Sequence, residues 1–261
     1  MFDFHMHTIV SFDGHDRGLQ MAQAAKAAGL KEICFTDHLD YDPLGKMGIL
    51  AFDTDAYNAE YDGLEVPGLK ICRGMEFGMT VDNREQFKQD LQRRQFDFVL
   101  GSIHFVDDLD VYFQEYWQDK TVFEAERRYL EATLDCVRLH DDFDVLAHLT
   151  YIGKTTAHHA PRPVPYAEHR ELIDEILKTV AAKGKGLEIN TSGVDRCGGF
   201  LPTADYFRRF KEFGGEIVTI GSDAHTASRV GQYSFDACEI LKEIFGHVCT
   251  FEDRKVIFHK L

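Results

Sequence analysis

Clusters of histidine and acid follow short, apolar, β-prone runs again and again, and this constrains the chain more than any other feature. In order they are His5-Met6-His7, Asp37-His38, Glu76, His104, His148 and Asp223-Ala224-His225. The runs that precede them are residues 2–4, 32–36, 69–75, 96–102, 143–147 and 216–222. A side chain at a strand terminus is aimed out of the sheet, beyond its carboxyl edge. One such case carries no information. Recurrence along one chain calls for a fold in which many strand ends converge. Imidazole mixed with carboxylate is the donor set of borderline divalent metals.

Between these runs the pattern becomes helical. Residues 17–28 have helical composition and stop at Gly29, and further helices are expected around 53–64 and 84–95. Thr121-Val122-Phe123-Glu124 is a capping box opening a helix to about His140, because Thr can bond the third amide while Glu reaches back. Leu172, Ile173, Ile176, Leu177 and Val180 recur at helical spacing before Gly184. Another strand is expected at 186–191, then helices at 203–213 and 235–245. Seven strands, each followed by a helix, with chemistry at the carboxyl ends, match a (β/α) barrel. An open doubly wound sheet would gather ligands at one switch point instead. The expected fold is α/β, a distorted seven-stranded TIM-like barrel.

Nothing divides the chain. Its 261 residues exceed the commonest domain size, but α/β barrels reach this length as one unit. No linker-like stretch or repeat interrupts it, so one domain over 1–261 is expected. The formal charge of −15 argues against nucleic acid or an anionic membrane as partner, since both need a basic face. Bound divalent cations would cancel part of that charge. The first residues carry no basic region before an apolar stretch, and no run reaches membrane-spanning length. Cys34, Cys72, Cys136, Cys197, Cys238 and Cys249 are far apart and lack CxxC spacing. They read as reduced, mostly buried thiols, which places the protein in the cytoplasm.

Each cluster also has a bland reading. His5-x-His7 on a strand points both imidazoles the same way, toward one ion or toward solvent at an edge. Thr8 and Ser11-Phe12-Asp13-Gly14 behind it make it distinctive. Asp37-His38 could be a helix cap beside a surface histidine, and Glu76 could pair with Arg73. His104 and His148 could each be a satisfied, part-buried histidine. Asp223-x-His225 repeats the two-residue spacing of the first cluster. Joint occurrence favours a shared metal site.

These motifs resemble the serial motifs of the PHP (polymerase and histidinol phosphatase) family. The stretches that carry the likeness are His5-Met6-His7-Thr8, Thr36-Asp37-His38, Gly74-Met75-Glu76, Gly101-Ser102-Ile103-His104, Ala147-His148 and Gly221-Ser222-Asp223-Ala224-His225. Residues 187–193, Leu-Glu-Ile-Asn-Thr-Ser-Gly, are similar to a segment of the histidinol-phosphate phosphatase branch. The resemblance implies a (β/α)7 barrel with two to three divalent ions, zinc, manganese or iron, at its carboxyl end. It implies a first ion on His5, His7, Glu76 and Asp223. A second would share Glu76 and add His104 and His148. A third would use His38, His225 and a loop residue. Many relatives have histidine at that loop position; here it is Asp13, with His15 as an alternative needing a register shift.

The chemistry implied is hydrolysis of a phosphate monoester. Water between two such ions is acidic enough to supply hydroxide at neutral pH, and the cations neutralise the phosphoryl oxygens. The sequence has no GxSxG elbow, and none is needed. Glu76 and His225 count as catalytic through the metals. Asp37 is expected to orient a metal-bound histidine, as such ligands require. Arg196 is the first candidate to grip phosphate, Lys154 the second, with Asn190 beside them; Arg162 and Arg229 are weaker. Asp107, Asp108 and Asp110 are candidates for a substrate's cationic end, or simply a solvated loop. The leading substrate is L-histidinol phosphate, in histidine biosynthesis. Alternatives are another small phosphomonoester (nucleotide, sugar phosphate or phosphotyrosine), a nuclease, or a non-catalytic metal-binding protein.

Overall fold

The computed structural model describes residues 1–45, 50–92, 94–155 and 161–261. In chain order its strands are β1 (Phe2–Asp3), β2 (Glu32–Phe35), β3 (His38–Leu39), β4 (Lys70–Gly78), β5 (Phe98–Ser102), β6 (Phe105–Val106), β7 (Leu109–Asp110), β8 (Val145–Leu146), β9 (Gly186–Asn190), β10 (Val218–Gly221), β11 (His247–Glu252) and β12 (Lys255–Lys260). The parallel order β1-β2-β4-β5-β8-β9-β10 makes the barrel wall, with β3 added beside β4. The seam closes between the first and last of these. Phe4 N–H donates to Ile220 O at 2.8 Å, Asp223 N–H to His5 O at 2.8 Å and His7 N–H to Ala224 O at 2.9 Å. The expected α/β barrel is therefore present, nearly closed, with helices outside it.

The expected helices all form, with ends shifted by a few residues: Gly18–Ala27, Thr54–Tyr61, Arg84–Leu91, Val122–Leu139, Arg170–Ala182, Ala204–Glu212 and Ser234–Ile244. The capping box at Thr121 is made, with its hydroxyl accepting from Glu124 N–H at 3.3 Å and its own N–H donating to Glu124 Oε2 at 2.8 Å. Asp53 caps Thr54–Tyr61 by accepting from Asp55 and Ala56 N–H.

Three readings of the sequence need correction. Glu76 lies inside a strand rather than beyond one, because β4 has partners along its whole length. It pairs with β2 first, then with β3 at Glu76–Phe77 and with β5 over Gly74–Gly78. The acidic run after His104 is a hairpin, β6–β7. Asp107 (φ 53°) and Asp108 (φ 63°) are its two-residue turn, in the left-handed conformation that such turns require and Asp tolerates. Residues beyond 245, where no element is expected, form the hairpin β11–β12. Its turn, Asp253-Arg254, is also left-handed (φ 48° and 63°) but lacks any glycine that would announce it.

Alternation along β4 puts Cys72, Gly74 and Glu76 on one face. Cys72 belongs to a small apolar cluster with Phe4, Cys34, Phe98, Leu100, Val145 and Ala147, closed by Phe251 of β11. The larger core lies between the wall and the helices. The six cysteines are buried and form no disulfide. Among the described residues no helix is long and apolar enough to cross a membrane.

Candidate metal centre

His5 and His7 leave β1 on the same side and are buried completely. Their Nε2 atoms are 3.2 Å apart, and each faces Glu76 Oε2, at 3.1 and 3.3 Å. Asp223 Oδ1 lies 3.7 Å from the first and 3.5 Å from the second. A tetrahedron with ligand bonds of ~2.1 Å has edges of about 3.4 Å, close to these five separations.

The other oxygen of Glu76 looks the opposite way. Oε1 is 2.7 Å from His148 Nε2 and 3.3 Å from His104 Nε2, and accepts from Ser102 Oγ at 2.6 Å. Nearby, Asp13 Oδ2 is 3.0 Å from His225 Nε2 and 3.6 Å from His38 Nε2. Donor atoms of His7, Asp13, His38 and His225 lie within 4.8 Å of one another. Asp13 Oδ1 is buried without a hydrogen-bond partner. His15 also lines the cleft, but its recorded tie is a backbone N–H to His225 O at 3.0 Å. The backbone at Asp223 is left-handed (φ 53°), a conformation non-glycine residues avoid, and the seam hydrogen bond from its N–H to His5 O pins it there.

Electrostatics follow from packing acids and imidazoles out of water. Burial alone would lower the His5 pKa, but the carboxylates of Glu188, Glu76 and Asp223 raise it well above the ordinary value. Burial also opposes ionisation of Glu76, yet His5, His38 and His104 hold it well below the usual carboxylate range. For His148, burial wins and the pKa falls.

Residues 3–192 match the PHP domain. The chain belongs to the PHP family. The match stops short of Asp223 and His225, which the barrel seam brings back to the histidines of β1. A histidinol-phosphatase of Lactococcus lactis is 32% identical over 97% of this chain and 95% of its own. A Clostridium acetobutylicum protein named "Probable histidinol-phosphatase" is 34% identical over 88% and 89%. The crystal structure of the Lactococcus lactis histidinol phosphate phosphatase, complexed with zinc, L-histidinol and phosphate, superposes with a TM-score of 0.87. It is 31% identical and covers 98% of each chain.

In this PHP chain a cleft of about 740 Å³ opens over the cluster, lined also by Lys154, Arg196 and Arg229. Lys154 Nζ donates to Asp223 Oδ2 at 2.7 Å and Ser192 Oγ at 3.0 Å. Arg229 is held by Asp195 at 2.7 Å. Other candidates lie elsewhere. Arg162 binds Glu126 and Glu168, and Arg73 binds Asp62 rather than Glu76. Asn190 is buried behind Ser192, its carbonyl accepting from Ser192 N–H and Oγ and its amide donating to Glu188. Asp37 does not reach a histidine directly. It accepts from Thr8 N–H and Ser11 Oγ, each at 2.8 Å, and from Tyr61 OH, and Ser11 Oγ lies 3.2 Å from His7 Nδ1.

Two carboxylates escaped the sequence reading. Glu188 Oε1 is 2.7 Å from His5 Nδ1, and its Oε2 accepts from His148 N–H at 2.7 Å. Asp40 Oδ1 is 2.8 Å from His104 Nδ1, with Oδ2 3.1 Å from His38 Nδ1. A glycine makes room for each. A Cβ on Gly221 would come within 2.0 Å of Glu188 Oε1, and one on Gly78 within 1.9 Å of Asp40 Oδ1. Glycine at a strand's carboxyl end is the signal that could have found them.

Proposed function

We propose that this PHP protein is a metal-dependent phosphomonoesterase that hydrolyses L-histidinol phosphate to L-histidinol and phosphate. The observation that carries the reading is the divided carboxylate of Glu76, with one oxygen facing His5 and His7 and the other His104 and His148. Asp223 completes the first set. Asp13, His38 and His225 supply a third, and Asp13 is the better placed of the two loop candidates. Two to three divalent ions fit these donors, and the zinc of the Lactococcus lactis relative favours zinc over manganese or iron. When bound, such ions neutralise phosphoryl oxygens and acidify water so that it attacks phosphorus at neutral pH.

The chain's own residues do the rest. Glu188 and Asp40 accept from the far nitrogens of His5 and His104, fixing tautomer and ring orientation. Asp37 acts one step further out, through Ser11. Lys154 and Arg196 stand on the wall that would hold the phosphate's outer oxygens. The substrate reading is supported by the Lactococcus lactis histidinol-phosphatase, which covers 97% of this chain and whose crystal structure holds L-histidinol and phosphate. That reading makes it an enzyme of histidine biosynthesis working in the cytoplasm, without nucleic acid or membrane as partner. The test is turnover of metal-replete protein on histidinol phosphate, p-nitrophenyl phosphate, a nucleotide and a sugar phosphate. Equal efficiency across that panel would remove histidinol phosphate as the substrate and leave a general phosphatase.

A further inference from the structure

The cleft is lined by both signs of charge. Lys154, Arg196 and Arg229 follow β8, β9 and β10, on one side of the barrel mouth. Asp110, Tyr112 and Phe113 follow β5, the strand beside β8 in the wall, and line the same cleft. Asp40 lines the cleft too, but both its oxygens face imidazoles. Asp110 differs. No Lys or Arg among the described residues pairs with it, and Oδ1 accepts only the N–H of Tyr112, at 2.8 Å. Burial pushes its pKa up, partly offset by that N–H and by His104.

An unpaired carboxylate beside a site for a phosphate dianion repels the substrate and loses hydration as the cleft fills. The arrangement makes sense if the substrate carries a cation at the end away from phosphorus. The neighbouring side chains suit such a group. Tyr112 and Phe113 expose 44% and 45% of their surface, their rings 5.6 Å apart and edge to face, although phosphate has no use for aromatic rings. Ring faces attract ammonium and imidazolium. The platform is stiff, since Val111 N–H donates to His104 O and Trp117 Nε1–H to Val111 O, each at 2.9 Å. Asp107 and Asp108 face a different cleft, where Arg128 pairs with Asp107.

We infer that Asp110, with Tyr112 and Phe113, forms the subsite for a cationic leaving group and selects aminoalkyl or imidazole-bearing phosphomonoesters over neutral ones. This rests on the phosphatase reading above, and the test separates the two. Calorimetry on metal-loaded protein would use L-histidinol and inorganic phosphate as separate probes. Asp110→Asn, which keeps the acceptor for Tyr112 N–H, should weaken L-histidinol by about tenfold or more while leaving phosphate within about twofold. Tyr112→Ala should weaken L-histidinol by about threefold or more, again sparing phosphate. Steady-state kinetics should show the loss as a raised KM for histidinol phosphate and unchanged p-nitrophenyl phosphate turnover. Unchanged L-histidinol affinity in Asp110→Asn would overturn the subsite, as would an equal loss of both probes or no L-histidinol binding by the unmodified protein. Failure of the unmodified protein to hydrolyse any phosphomonoester, with the differential binding intact, would overturn the phosphatase reading alone.

Discussion

The two ends of the barrel are both crowded with charge, but they settle it differently. At the amino end, Lys70 bridges Glu32 (3.1 Å) and Glu252 (3.2 Å), and Arg254 grips Asp144. Asp97 accepts the N–H groups of Arg73 and Asp253. Each of these acids meets a Lys, an Arg or a backbone amide. At the carboxyl end, Glu76 faces His5, His7, His38, His104 and His148, with a serine hydroxyl as its remaining partner. The amino end neutralises itself. The carboxyl end gathers imidazole and carboxylate donors that suit a divalent cation, so charge supports stability at one end and ligand binding at the other.

The largest expected effect that tests this contrast is Glu76→Gln. Turnover should fall at least ~10³-fold, with mass spectrometry showing fewer bound ions and circular dichroism an intact fold. Full metal content with ordinary turnover would make Glu76 structural. Next comes Asp13→Ala, expected to lose one ion of the set and at least ~10-fold in activity, the scale of removing even an outer partner of a ligand. His15→Ala should leave stoichiometry alone; the opposite pattern would show that the loop presents the wrong residue in this account.

A smaller effect concerns pH. With metals chelated, Asp40 and Glu76 lift the His104 pKa from 6.5 to about 10, overcoming the burial that would lower it. A raised pKa contributes stability that is full below pH 6.5 and lost as pH rises through about 10. Chelated protein should therefore lose thermal stability across that window, whereas the loaded form, its imidazoles already deprotonated, should not. Parallel melting curves would argue against metal at His104. Arg254→Ala is the smallest expected effect on the site. It should cost about 1–3 kcal/mol of stability, less than a fully buried pair because the guanidinium is part-exposed, and leave turnover within about twofold.

Much of this was legible because strand ends and site coincide. Each barrel strand could be located, and the donors that converge on the centre are those whose motifs follow the strands. What was hidden involved groups whose role depends on a neighbour far away in sequence. Glu188 sits among apolar residues of β9, and only its contact with His5 gives it a purpose. Asp40 lies in a less regular loop, directly after β3, where no motif marks it. The acids at 107 and 108 seemed equivalent to Asp110 until the hairpin turned them away. Asn190 and Arg162 had the right chemistry, but their partners are inside the protein or on another face.

The seam has a consequence for how the molecule is made. His5 and His7 leave the ribosome more than 200 residues before Asp223 and His225. The hydrogen bonds from Asp223 to His5 and from His7 to Ala224 are thus formed late in synthesis, after the intervening wall is in place. A nascent chain displays the imidazoles of β1 for most of translation without the carboxylate that completes their set. Metal capture at full affinity would then wait for β10, the strand that carries Asp223 to the seam. Loading with metal would report that β10 has met β1.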